Sequence, residues 1–235
     1  MKDRYKMIVW AKSKKELLIE QIDKSYHILN TLKKYGLFDK LLLPAPNIRK
    51  VKEFSITQEN IEKMILQKQD KKFSDLGSHF SFFTSLEQEK SLKIDFSVGR
   101  SNARFKNVMT ISFPVMYTPL QIIMYIKLLQ DLVEVYEAFY ACITSNMNLK
   151  LYDDWFDNKS QIPKVVFWEN YWGNEIVSKM EINEQMIKSV YKFERVEDGC
   201  YIRLLDEPFD GLNPQHIEAQ KKVNNLLKLC KAIPI

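Results

Sequence analysis

The chain reads as an α+β protein in which an antiparallel sheet, or sheets, packs against long helices. Three observations predict this class. Leu92, Ile94, Phe96 and Val98 alternate with Lys93, Asp95 and Ser97, the two-residue period of a strand with one wet face. Leu18, Ile22, Tyr26, Leu29 and Leu32 recur at helical spacing. Strand-like runs also follow one another directly (SHFSFFTSL at 78–86, SLKIDFSVG at 91–99, NVMTISFP at 107–114), an order that favours meandering antiparallel pairs.

The elements are expected in this order. YKMIVW at 5–10 is a short strand. Ser13 and Glu16 have the spacing of a capping box, so a helix should start there and stop at Gly36, a residue suited to the left-handed turn after a helix. LLLPAPN at 41–47 reads as an irregular connection, and Thr57 caps a second helix within 56–67. After the three strand runs, Thr118 and Pro119 open a central helix expected to reach about Ile143. KVVFWENYWG at 164–173 resembles a strand, and INEQMIKSV at 182–190 a short helix. Glu197-Asp198-Gly199 marks a hairpin. A last helix should run from Pro214 to near Lys231, with Ile217, Val223, Leu227 and Cys230 inward. The order allows two similar α+β halves, 1–117 and 118–235. No sequence repeat or linker composition separates them, so one unit over 1–235 is expected.

Composition narrows the class. Apolar residues make up 46% and charged residues 28% of 235 positions, as in a folded chain. The run from Val115 to Ile143 is interrupted by Lys127, Asp131, Glu134 and Glu137, which suits a buried helix better than a membrane span. The start has no apolar core of signal-peptide length, and Cys142, Cys200 and Cys230 are odd in number and without metal-site spacing. A cytoplasmic location is the expectation. Net charge is +5, divided as +9 over 1–117 and −4 over 118–235. The lysines of the basic half are scattered among acids, so direct nucleic-acid binding is not expected.

Three stretches could carry chemistry. LLDEPFDGLNPQH at 204–216 holds Asp206, Glu207, Asp210 and His216, the residue types of a mixed metal site. A metal-dependent hydrolase or nuclease built on these four is the alternative reading. Asn213 as helix cap and Pro214 as first helical residue explain the same stretch without a ligand. LYDDWFD at 151–157 sets Asp153, Asp154 and Asp157 around Trp155, and WENYW adds Glu169 and Trp172. Aromatic anchors with charged rims suit protein recognition. No nucleophile elbow, phosphate loop or dinucleotide fingerprint occurs, so catalysis is not expected and no cofactor is implied.

VVFWENYWG, followed by GCYIRLLDEPFDGLNPQHIEAQKKVNNLLK, resembles the closing half of the immunity protein 52 family. The resemblance implies a cytoplasmic, non-enzymatic immunity protein of a bacterial polymorphic-toxin system. Its partner would be a cognate toxin domain, with nucleases of the restriction-endonuclease type among those associated with the family. The residues expected at the toxin interface are drawn from charge and aromaticity: Asp153, Asp154, Trp155, Asp157, Glu169, Trp172, Glu207 and Asp210.

Overall fold

The computed structural model describes residues 4–69, 72–114, 118–152, 154–157, 159 and 161–229. β1 (Tyr5–Ala11) lies where the sequence places it. α1 (Leu18–Lys34) starts later than Ser13 predicts. Glu16, expected to cap, is buried; its carboxylate accepts the Gly99 N–H at 2.9 Å and pairs with Lys24 at 2.5 Å. Glu20 instead accepts the Leu17 N–H at 2.6 Å. Gly36, at φ +68°, ends α1 as expected, with Leu37 N–H reaching back to the Leu32 carbonyl.

The 41–54 segment is more regular than expected, forming β2 (Leu41–Leu43) and β3 (Lys52–Phe54). α2 (Gln58–Lys68) is capped by Thr57, which accepts the Asn60 N–H at 3.2 Å. The three-strand meander is present as β4 (Ser78–Phe83), β5 (Lys93–Val98) and β6 (Asn107–Ser112). The central helix is not continuous. Thr118 caps α3 (Pro119–Ile123), and α4 (Ile126–Val135) follows. Glu137 then takes φ +53°, and the expected helical tail AFYACITS is instead β7 (Ala138–Ser145). An unbroken apolar run fits a buried helix and a doubly covered strand equally well, and here strand partners on both sides decide.

α5 (Asn146–Lys150) leads to the pair β8 (Phe156–Asp157) and β9 (Ile162–Pro163). β10 (Glu169–Gly173), α6 (Asn174–Val177) and α7 (Glu184–Ile187) come next. The expected hairpin is β11 (Lys192–Val196) and β12 (Gly199–Arg203), closed by Glu197-Asp198. α8 (Pro214–Leu226) closes the described chain; Val223 and Leu227 are buried, while Cys230 lies outside the described residues.

One antiparallel ten-stranded sheet runs through both halves in the order β11-β12-β10-β7-β1-β6-β5-β4-β2-β3. β1 pairs with β6 on one side and β7 on the other, so the first strand joins the two halves. Register aligns the row Phe80, Phe96, Met109, Val9, Ala141, Tyr171, Tyr201 across one face. The neighbouring row is Phe82, Ile94, Ile111, Met7, Ile143, Glu169, Arg203. Both rows are apolar from β4 to β7, where α1, α2 and α4 pack on them, and turn polar at β10 and β12.

The opposite face is covered in the other half. Trp10, Tyr140 and Trp172 are register neighbours there. Trp155 and Phe156 pack on Trp10 at 4.9 and 4.5 Å between ring centres. Gln220 and Asn224 of α8 hold the Val166 carbonyl and N–H at 2.8 and 2.9 Å. The covering layer therefore changes face at the β1–β7 seam, and the helix-facing side of β10–β12–β11 has no long helix over it.

Glu137 is tied back to the α1 region by Lys24 at 2.8 Å and Lys14 at 3.3 Å. The Lys24 hydrogen bond holds its carboxyl below the usual carboxylate range. Burial works against the Lys24 ammonium, but its hydrogen bonds to Glu137 and Glu16 outweigh that and leave its pKa raised.

Four outcomes are expected. Met7→Ala should destabilise by about 2–5 kcal/mol, the range for emptying a well-packed core site. Urea unfolding followed by circular dichroism and by tryptophan fluorescence should remain superimposable, because β1 belongs to both halves. Lys24→Met should cost ~1–3 kcal/mol at neutral pH by leaving the Glu16 carboxylate buried without its cation. Glu137, with its lowered pKa, stabilises the fold above about pH 4.5 and loses that contribution as pH falls through the folded-state value. The acid limb of the melting curve should accordingly be shallower in the variant.

Candidate functional site

The 204–216 stretch folds as a turn and helix cap. Asn213 accepts the Gln215 N–H at 2.9 Å, and Pro214 is the first residue of α8. His216 is buried, and its Nδ1 accepts the Asp210 N–H at 3.0 Å. The ring proton is thus left on Nε2, 3.0 Å from Glu207 Oε1. Asp210 turns inward to its own loop, accepting the Leu212 N–H at 2.9 Å, while Asp206 accepts the Tyr191 hydroxyl and raises its pKa. Glu207 and His216 thus bond to each other, while the Asp210 and Asp206 carboxylates serve other local contacts. Among the described residues no three His, Cys, Asp or Glu side chains converge as a metal site.

The proposed interface residues are scattered. Trp155 is half-buried against Trp10, Phe156 and Phe167. Asp154 is exposed and pairs with Lys164, and Asp157 accepts the Lys159 N–H at 2.9 Å. Asp153 lies outside the described residues. Trp172 has no exposed surface, and Glu169, 2% exposed, holds the Arg203 Nε–H at 2.6 Å. Burial raises the Glu169 pKa even though Arg203 opposes it. These two positions lie within the sheet and are withdrawn as surface contacts: strand alternation puts Glu169 on the face of Met7 and Ile143, against Arg203, and Trp172 on the opposite, covered face.

A better-formed site lies where the helix layer ends. A cavity of about 680 Å³ opens between α4 and the β11–β12 hairpin, over β10. Its floor is the register pair Tyr171 and Tyr201, with ring centres 5.1 Å apart. Asp131, Glu134 and Glu137 line the helix side, Glu197 and Asp198 the hairpin side, and Glu175 the start of α6; among the described residues Lys12 is the only cation lining it. The negative wall stands out on a chain of net charge +5.

Local structure fixes these walls. Asn174 donates its backbone N–H to the Asp198 carbonyl and its side-chain amide to the Glu197 carbonyl, both at 2.9 Å. The Tyr171 hydroxyl donates to the Asp198 carbonyl at 2.9 Å. Gly199 brings the hairpin so close to β10 that a Cβ there would lie 2.1 Å from the Trp172 carbonyl oxygen. Burial pushes the Tyr171 hydroxyl up to about 12. Tyr201 is raised by burial first, and then by the negative charges of its neighbours, Glu134 among them.

Asp131, Glu134 and Glu137 stand three apart in the sequence, but nothing local joins them to Glu197 and Asp198. In the sequence the three acids interrupt a membrane-like run, and Glu197-Asp198 marks a turn. Their common face depends on a strand order that brings α4 beside a hairpin more than fifty residues later in the chain.

The fold is shared with a solved bacterial protein. The T6SS protein PA0821 of Pseudomonas aeruginosa matches with a TM-score of 0.63 and 15% sequence identity, covering 96% of this chain and 76% of its own. At that identity the likeness speaks for the architecture. No family model matches the chain, and no curated protein matches it in sequence. No described helix is long and apolar enough to cross a membrane.

Asn213→Ala should destabilise by ~1 kcal/mol through loss of the α8 cap. A denaturant melt of the variant, with and without chelator, checks both the cap and the turn-only reading: the chelator should leave either midpoint unchanged.

Proposed function

We propose that this chain is a non-enzymatic immunity protein that binds and neutralises a bacterial toxin domain in the cytoplasm, with a nuclease as the toxin. The observation that carries this reading is the acidic groove over a tyrosine floor. A nuclease must hold anionic phosphates and therefore presents a basic surface. Among the described residues, six carboxylates against one lysine offer that surface a complementary field. The overall +5 is compatible with this role because the negative charge is concentrated at one place. The resemblance of residues 165–173 and 199–228 to immunity protein 52 supports the same class, and a fold shared with a T6SS protein agrees with it.

Cells producing the toxin domain encoded beside this chain's gene should survive when the chain is co-produced. The purified pair should form a complex, and nuclease activity should fall in step with occupancy. A pair that stays apart at micromolar concentration, with activity unaltered, would overturn the proposal. The metal-dependent hydrolase alternative loses support from the 204–216 geometry, where the Asp206 and Asp210 carboxylates are engaged apart from the Glu207–His216 pair and no three candidate ligands converge among the described residues.

A further inference from the structure

We infer that the groove between α4 and the β11–β12 hairpin receives a cationic protein segment of the partner, selected by Glu134, Glu197 and Asp198. This rests on the inhibitor reading above and names the surface and chemistry through which it acts.

The six carboxylates divide into two sets. Asp131 accepts the Tyr35 hydroxyl at 2.8 Å and lies 3.8 Å from Lys34. Glu137 is shared by Lys14 and Lys24, and Glu175 pairs with Lys12. These three are already partly neutralised within the chain. Glu134, Glu197 and Asp198 are exposed, and no described side chain pairs with them. They stand on opposite walls, with Tyr201 on the floor between.

The arrangement favours one kind of occupant. Like charge repels a nucleic acid or an anionic lipid surface. The carboxylates are spread around the rim and do not converge on a point as metal ligands would. A space of about 680 Å³ is in the range of sites that enclose several groups of a ligand. The partly exposed Tyr201 ring on its floor, backed by the buried Tyr171, is within reach of a guanidinium or ammonium. Arginine and lysine side chains on a protein loop or helix satisfy all these features at once. The Asn174 contacts hold the hairpin wall in place, so little ordering is required when the partner arrives.

The test compares Glu134→Gln/Glu197→Gln/Asp198→Asn with Glu53→Gln/Glu184→Gln/Glu218→Gln. Both triples remove the same charge from exposed positions, in the groove and away from it respectively. Affinity for the neighbouring toxin domain should fall about tenfold or more in the first and change less than about twofold in the second. Circular dichroism should show both folded; if the groove triple is not, single Glu134→Gln is measured in its place. A folded groove variant that binds as tightly as the wild type overturns the inference and leaves the inhibitor reading standing. If the wild type binds no toxin domain, the inhibitor reading fails, and calorimetry with a nona-arginine peptide then decides the groove. Binding lost only in the groove variant supports the inference, whereas equal loss in both variants, or no binding by the wild type, overturns it.

Discussion

β1 must satisfy two neighbours at once, and the architecture depends on that constraint. Its backbone pairs with β6 through one edge and β7 through the other, while Met7 and Val9 are sealed beneath the helices. Its other face carries Lys6 and Trp10, both only partly exposed. It also converts a chain that reads as two halves into one hydrogen-bonded sheet. Each half builds outward from the seam, the first to β3 and the second to β11.

Because the cover changes face at the seam, the second half keeps a part of its sheet that the first half would have buried. The rows that carry Phe96, Met109 and Val9 beneath α1 and α4 continue into Tyr171 and Tyr201 with no long helix above them. The end of a helix layer thus becomes the wall of a groove. The charges follow from position: α4 turns its polar side toward the opening with Asp131 and Glu134, and the hairpin turn contributes Glu197 and Asp198.

Elements set by local chemistry were legible in the sequence. Thr57, Thr118 and Asn213 cap helices, Gly36 stops one, and Asp198-Gly199 marks a hairpin, each through atoms within a few residues. Long-range contacts defeated the reading elsewhere. Glu16 left its expected cap for Gly99 and Lys24, and residues 138–145 became a strand because two others flank them. The groove was illegible for the same reason, since its walls are joined only by tertiary pairing. Trp172 and Glu169 looked like surface anchors because composition does not say which face of a strand is covered.

The turn at Glu137 places one residue in two roles. Its backbone makes the left-handed step from helix to strand, and its carboxylate holds Lys14 and Lys24 while lining the groove. Substitution there disturbs the turn and the groove lining together. Glu134, Glu197 and Asp198 have no comparable internal duty. A lineage can therefore rewrite the charge pattern on the groove rim by single steps and leave its scaffold untouched, with Glu137 as the fixed point around which that variation is free to run.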